Sequence, residues 1–320
     1  MNELAQKSRK KMRFISGGMK TELFLTGVLF LLFLVFSLSS EVFLTVNNLN
    51  ALMRQTSIYG IVAIGMVFVI TSSGIDLSVG SVIGLSGVLM AMCVVRGMPL
   101  LISALVSIAA GSLVGLLNGI LVHNGKVPPF IATMGTMTVI RALIMLITGA
   151  KMISGLPKTF TGIAQMDILG FPFLFIAWAV VVATAWFITR KTIFGRNIFA
   201  LGSNREAARL SGINIRRTTY GVYIFSAVVC SIAGVLLTAR LGNGVPTAGD
   251  GYELDAIAAS VVGGASLDGG EGSVIGTVLG AMIMATLRQG GTLLGVNSFI
   301  LEIIIGSLIV IAVLLDKLRK

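Results

Sequence analysis

Long, continuous runs of apolar residues recur along the chain and are separated by short polar segments. The runs cover about 21–40, 58–73, 79–95, 100–122, 129–149, 171–189, 218–240, 254–267, 272–288 and 299–316. A helix that crosses a bilayer needs about 20 mostly apolar residues, and several runs reach that length. They are continuous rather than alternating, unlike the strands of a transmembrane β-barrel. The pattern therefore predicts an all-α, polytopic transmembrane bundle of about ten spans.

The run at 254–267 departs from this pattern because it is short and contains Asp255 and two adjacent glycines, Gly263 and Gly264. Irregular backbone at membrane depth is tolerated where it is buried in protein or lines a wet cavity. We therefore expect a broken or re-entrant helix here. Eight full spans with a re-entrant pair fit the chain as well as ten.

Composition agrees with a membrane protein. The 320 residues are 55% hydrophobic and only 12% charged, whereas soluble domains are usually about 25% charged. This excludes a soluble enzyme and leaves room for one membrane domain, at 21–316, between short tails at 1–20 and 317–320.

The net charge of +11 is concentrated in three places. Sixteen of the 24 basic residues lie in the first 20 positions, between 190 and 217, and in the last four positions. Basic residues beside apolar runs mark cytoplasmic segments. Both termini and the 190–217 loop are therefore expected in the cytoplasm. The placement of the charge is typical of a protein that lies in a bilayer rather than of one that binds nucleic acid.

Small residues recur in the run at 100–122. Gly111, Gly115 and Gly119 are spaced four residues apart, and this spacing lets transmembrane helices approach closely. We expect these glycines to serve packing.

The first polar interruption contains Asp76 and Ser78, between the second and third runs. A carboxylate at the bilayer centre costs about 2.5–3.5 kcal/mol on insertion scales. Asp76 is therefore expected near an interface, in a cavity, or capping the next helix, and Ser78 can cap it too. A cap and a substrate contact are both open.

The second interruption covers 242–255 and includes Tyr252, Glu253 and Asp255. Carboxylates accept hydrogen bonds from several hydroxyls at once, which suits hydroxyl-rich ligands. A solvated loop that folds back on the bundle is the alternative.

The basic loop contains a predicted short helix that ends at Leu210. Asn204 or Ser203 can cap its start, and Gly212 can end it in the left-handed conformation. Its small residues, Ala207, Ala208 and Ser211, suit docking into a groove of another protein. A solvated surface turn is the alternative.

Motifs that bind nucleotides or zinc are missing from the sequence. No G-x-x-x-x-G-K-S/T pattern, zinc motif or Rossmann glycine pattern occurs, so we expect no cofactor in this chain.

Four motifs, in this order, resemble one family. They are T-S-S-G-I-D-L-S-V-G-S at 71–81, A-L-G-S-N at 200–204, A-A-R-L-S-G-I-N at 207–214, and P-T-A-G followed by G-Y-E-L-D-A-I-A-A at 246–259. They resemble the ribose-type permeases, which are the membrane subunits of bacterial ABC importers for ribose, xylose, arabinose, galactose and related solutes. The resemblance runs from about residue 40 to the end. Asp250 and the acidic segment at 268–271 depart from it.

The resemblance implies a permease in the bacterial cytoplasmic (inner) membrane, paired with a second copy or a sister permease. It also implies a cytoplasmic ATPase with tandem nucleotide-binding domains, which binds ATP and Mg, and a periplasmic or lipid-anchored sugar-binding protein. The coupling contacts to the ATPase would be Gly202, Asn204, Glu206, Ala207, Ala208, Ser211, Gly212 and Ile213. The hypothetical substrate path or gate comprises Asp76, Ser78, Tyr252, Glu253 and Asp255.

Two other functions remain open from the residues. An ion-coupled secondary sugar transporter needs an intramembrane acid to carry the coupling ion, and Glu302, Asp76 and Asp255 are the candidates. A membrane scaffold would transport nothing. The sugar itself is not specified by the sequence, and ribose is the first expectation.

Overall fold

The computed structural model describes the backbone of residues 2–318 and the side chains of residues 21–314 and of Lys317. The side chains of the predicted tail at 1–20, and residues 319 and 320 of the tail at 317–320, lie outside it. The described helices are α1 (Asn2–Ser39), α2 (Val46–Thr71), α3 (Val79–Val95), α4 (Leu100–His123), α5 (Pro129–Thr148), α6 (Lys158–Thr161), α7 (Phe173–Lys191), α8 (Ile193–Ser203), α9 (Arg205–Leu210), α10 (Ile215–Leu241), α11 (Tyr252–Val262), α12 (Val274–Leu293) and α13 (Ser298–Leu318). A short hairpin of β1 (Asp167–Ile168) and β2 (Phe171–Pro172) precedes α7.

The all-α prediction is confirmed, and every predicted apolar run overlaps a helix. Six of the described helices are long and apolar enough to cross a membrane. They are residues Thr21–Ser39 of α1 together with α2, α4, α5, α7 and α10. Helix α3 and residues Ser298–Leu314 of α13 are shorter apolar helices. The chain is therefore a multi-pass membrane protein.

Helix α2 begins at Val46, well before the apolar run predicted from residue 58. Its first turns are polar, and hydrogen bonds satisfy the polar groups at Thr45 and Asn48. Thr45 Oγ1 accepts a hydrogen bond from the N–H of Asn48. The buried Asn48 amide donates to the Phe43 carbonyl, and its Oδ1 accepts from Gln289 of α12. A helix can include such residues when tertiary partners replace water.

Helix α11 has 11 residues and is about 16 Å long at 1.5 Å per residue. The hydrocarbon core of a bilayer is about 30 Å thick, so α11 does not span it alone. The expectation of a broken or re-entrant helix is therefore supported over a tenth full span at 254–267.

Helix α10 is the centre of the bundle and packs against α2, α3 and α4. The predicted packing role of the α4 glycines is confirmed there. A Cβ at Gly111 would overlap Ser231, one at Gly115 would press on Tyr223 and Ala227, and one at Gly119 would lie 3.1 Å from the Tyr220 Cα. The spacing of four residues thus brings the two backbones together.

The segment 242–251 runs along α3. Gly244 lies against Ala91, Gly84 lies against the Ala248 carbonyl, and Gly80 lies against the Gly249 carbonyl. From Gly244 to Gly249, the segment therefore contacts α3 at positions progressively closer to the N-terminus of that helix. The segment follows α3 into the bundle, and α11 begins there.

Candidate functional site

The loop 72–78 carries Asp76 into the bundle between α4, α5 and α10. Asp76 is 1% exposed. Its Oδ1 accepts hydrogen bonds from the Ser78 N–H at 3.0 Å and from the Ser78 hydroxyl at 2.6 Å. Its Oδ2 lies 3.3 Å from the hydroxyl of Ser226 on α10, which donates to it. A buried carboxylate is stable only when such donors replace water.

Neighbouring helices hold the same loop. Asn118 of α4 donates from Nδ2 to the Ser78 hydroxyl at 2.8 Å. Thr133 of α5 accepts from the Leu77 N–H at 3.1 Å and lies 3.1 Å from the Ile75 carbonyl. The loop is therefore a fixed polar element between apolar helices.

The predicted capping roles of Asp76 and Ser78 are partly wrong. Ser78 is the residue before α3, but its side chain does not bond a backbone N–H of that helix. Asp76 bonds the N–H of Ser78, which precedes the first turn. Instead, the Ser78 hydroxyl donates a hydrogen bond to the Asp76 carboxylate. Both side chains are buried, and this bond replaces the hydrogen bonds that water would make.

We expect Asp76→Ala to reduce the folded yield strongly, since removing the carboxylate leaves the buried donors of Ser78 unpaired. An unpaired buried donor costs about 1–3 kcal/mol. Asp76→Asn keeps an acceptor oxygen and should retain part of the yield. Size-exclusion chromatography of fluorescent fusions measures this. Ser81→Ala is the control, because among the described residues that hydroxyl bonds only the nearby Ser78 carbonyl. An alanine variant with wild-type yield would contradict the prediction.

Arg141, in the middle of α5, binds the segment 242–251 through hydrogen bonds and an ion pair. Its Nη1 donates to the carbonyls of Pro246 at 2.9 Å and Ala248 at 3.0 Å. Its Nη2 lies 2.6 Å from Asp250 Oδ1. Arg141 was not among the site residues predicted from the sequence. The available signal was a lone arginine inside an apolar run, where a charge requires a partner.

The start of α11 brings together four side chains. The rings of Tyr252 and Tyr59 are 4.5 Å apart between centroids. Nη2 of Arg288, on α12, lies 2.8 Å from Asp255 Oδ1 and 3.1 Å from Oδ2. The Arg288 guanidinium also lies over the Tyr59 ring, 5.8 Å from its centroid. We call Tyr59, Tyr252, Asp255 and Arg288 the Tyr–Arg cluster.

The Tyr–Arg cluster lies deep in the bundle. Tyr59 is 12 residues before the end of α2, which is about 18 Å at 1.5 Å per residue. It is therefore near the middle of a 26-residue helix. Aromatic faces with a few charged groups are typical of small-molecule sites. Of its members, the sequence analysis selected Tyr252 and Asp255 but missed Tyr59 and Arg288, which come from distant helices.

Glu253 is beside the cluster but not within it. Its Oε1 accepts from the Gly251 N–H at 3.3 Å. Its Oε2 is buried against Gly80 of α3 and has no hydrogen-bond partner among the described residues. The five predicted pathway residues thus form two groups, with Asp76 and Ser78 on one loop and the other three at the start of α11.

The predicted short helix in the basic loop is present as α9, with six residues. Asn204 caps it, because its Oδ1 accepts from the Ala207 N–H at 2.9 Å. Glu206 pairs with Arg209 at 3.0 Å. Gly212 follows with φ +80°, the left-handed conformation expected at this position. Thr192 similarly caps the preceding helix, α8.

The exposed face of α9 differs from the predicted one. Ala207 and Ser211 are exposed, but Ala208 is buried against Leu201 and Ile215. Gly202 is buried and Ile213 is half-buried. Leu210 is 79% exposed, which the sequence analysis did not single out. The outer face of α9 therefore presents Ala207 and Leu210 among the charged side chains of Arg205, Glu206 and Arg209.

Comparison with known proteins identifies the family of the chain. Residues 48–313 match the family described as branched-chain amino acid transport system / permease component. The ribose import permease protein RbsC of Bacillus subtilis (strain 168) is 40% identical, and the match covers 99% of each chain. RbsC of Haemophilus influenzae (strain ATCC 51907 / DSM 11121 / KW20 / Rd) is 41% identical over 90% of this chain and 91% of its own. The xylose transport system permease protein XylH of Escherichia coli (strain K12) is 37% identical over 87% and 86%.

No solved structure matches the chain. The family match and the near-complete alignments nevertheless cover the Asp76 loop, the basic loop and α11 together. The chain therefore belongs to the family of ribose-type permease components of ABC importers.

Proposed function

We propose that this chain is the membrane-spanning subunit of an importer that moves a monosaccharide, with ribose as the first candidate, across the bacterial cytoplasmic membrane. One observation carries the proposal: the similarity to ribose import permeases extends over nearly the whole chain. The subunit performs no covalent chemistry. It provides the path, and hydrolysis of ATP elsewhere provides the energy.

The partners follow from that role. A cytoplasmic ATPase with tandem nucleotide-binding domains binds ATP and Mg and contacts the outer face of α9. A periplasmic or lipid-anchored binding protein delivers the sugar, and a second copy or a sister permease completes the path. The exposed Leu210 supports the ATPase contact, since an apolar side chain on a surface helix can lie in a groove of a partner.

The sugar path passes the Tyr–Arg cluster. Tyrosine faces can stack on the apolar face of a sugar ring, and the Asp255 and Arg288 side chains can bond its hydroxyls. The half-length helix α11 supports this assignment, because transporter sites are commonly built where a helix is broken near mid-depth.

Uptake of labelled ribose in a strain that lacks its own ribose permease tests the function. This chain is expressed with its genomic ATPase and binding protein, and unlabelled ribose, xylose and allose are compared as competitors. Uptake that requires the ATPase and is diluted most by ribose supports the proposal. Uptake that persists without the ATPase and stops when the proton gradient is collapsed would favour an ion-coupled transporter, for which the buried Asp76 is the candidate acid.

We expect both termini and residues 190–217 to face the cytoplasm, because most basic residues lie there. Single cysteines at exposed Arg205 and at exposed Leu169, the tip of the hairpin, test this in a variant with Cys93 and Cys230 replaced. A membrane-impermeant maleimide added outside intact spheroplasts should label position 169 and leave 205 unlabelled. Labelling of position 205 from outside would overturn this topology.

A further inference from the structure

Three loops meet behind the ATPase-facing helix α9. They are residues 71–73 at the end of α2, residues 202–203 at the end of α8, and residues 266–272 between α11 and α12. The Gly270 N–H donates to the Thr71 carbonyl at 2.9 Å. The Ser73 hydroxyl lies 2.9 Å from the Gly202 carbonyl and 2.8 Å from the Asp268 carbonyl. One hydroxyl thus connects all three loops, and we call Thr71, Ser73, Gly202, Asp268 and Gly270 the three-loop joint.

The joint is packed backbone against backbone. A Cβ at Gly202 would overlap the Thr71 carbonyl, and a Cβ at Gly270 would overlap the Ser203 hydroxyl. Close-packed groups of this kind transmit displacement rather than absorbing it. Ser73 has φ +61°, a conformation that is uncommon outside glycine and is concentrated at functional sites.

Each loop of the joint leads to a segment with a proposed role. Gly202 lies three residues before the start of α9. Ser73 lies three residues before Asp76 in the same loop. Residues 266–272 follow α11, whose first turn carries Tyr252 and Asp255 of the Tyr–Arg cluster.

We propose that Ser73 is a positioning residue that transmits movement of α9 to the Asp76 loop and to α11. This inference rests on the proposed function, since it assigns the connection between the ATPase contact and the sugar path. When the ATPase shifts α9, the end of α8 moves the Ser73 hydroxyl, and the loops before α3 and after α11 move with it.

The test uses the complete importer in proteoliposomes, with ribose uptake and ATP hydrolysis measured together. Ser73→Ala removes both contacts of the hydroxyl and adds no bulk. Because coupling between sites usually amounts to a factor of about five or more, we expect uptake per ATP hydrolysed to fall by at least about fivefold. Basal ATP hydrolysis and folded yield should stay at the wild-type level.

Ser72→Ala is the matched control, because within the described part of the chain the neighbouring hydroxyl bonds only the Val69 carbonyl of α2. It should leave the ratio of uptake to hydrolysis unchanged. Ser73→Gly is the second test variant. It also lacks the hydroxyl, and glycine adopts positive φ without strain, so the backbone at position 73 keeps its conformation without a side chain. It should uncouple the importer to the same extent.

Wild-type coupling in both Ser73 variants would overturn the inference. A parallel fall of uptake, hydrolysis and yield with an unchanged ratio would also overturn it, because Ser73 would then serve stability alone. These results differ from failure of the proposed function, which would appear as absence of ATP-dependent ribose uptake by the wild-type importer itself.

Discussion

Replacing Arg288 by methionine is expected to destabilise the bundle by about 3–5 kcal/mol and to abolish ribose uptake. Methionine keeps an unbranched side chain but removes the guanidinium that lies 2.8 Å from Asp255. The Asp255 side chain is 9% exposed, so its charge would remain buried without its partner. Thermal unfolding of the detergent-purified permease measures the first effect, and uptake in cells measures the second.

The double variant Asp255→Asn/Arg288→Met separates the structural role of the pair from its role in transport. Removing both charges of a buried pair is often neutral for stability, so thermal stability should largely return. Uptake should not return if these groups contact the sugar. A double variant that regains both would show that the pair only stabilises the bundle, and would remove it from the proposed path.

Arg54→Met provides the matched control. Arg54 also pairs with an aspartate, Asp167, at 3.0 Å, but the side chains are 25% and 42% exposed. Exposed pairs contribute about 0–1 kcal/mol. This variant should therefore unfold near the wild-type temperature, and a loss as large as that of Arg288→Met would contradict the argument from burial.

The sequence predicted the helices well because membrane insertion depends on local hydrophobicity. The runs at 79–95 and 100–122 match α3 and α4 to within a residue. The error at α2 arose where Asn48 is paired with distant groups, which a window of hydropathy does not include. The broken helix α11 was predicted because two local signals coincided, an acid at its start and paired glycines at its end.

The functional residues show the same difference between local and long-range interactions. The cap at Asn204 and the left-handed Gly212 depend on neighbours within a few residues, and both predictions are confirmed. Tyr59, Arg141 and Arg288 act through partners more than 30 positions away, so their roles emerge only when the helices are assembled. Burial of Ala208 depends on Leu201, which precedes α9 in the sequence, and on Ile215, which follows it. The helix must fold back on both before this burial is visible.

A tryptophan at Ala207 is expected to uncouple the permease from its ATPase while leaving it folded. Ala207 is exposed on α9, on the face that the proposed ATPase contact would cover. If the proposed contact is correct, an indole there would prevent a groove of the ATPase from closing over Leu210. We expect sugar uptake to fall at least about tenfold, since loss of a hot-spot contact at an interface costs about 2 kcal/mol or more. Stimulation of ATP hydrolysis by the loaded binding protein should be lost.

Arg217→Trp is the control for that substitution. It places the same exposed bulk in the first turn of α10, beyond α9 but within the same basic loop. Folded yield should be at the wild-type level for both variants, and uptake only for Arg217→Trp. Cysteines at Ala207 and Leu210 should also cross-link to the ATPase in wild-type-like complexes. If Ala207→Trp supports full uptake and full stimulation of hydrolysis, α9 is not the ATPase contact, and the three-loop joint behind it has no movement to transmit.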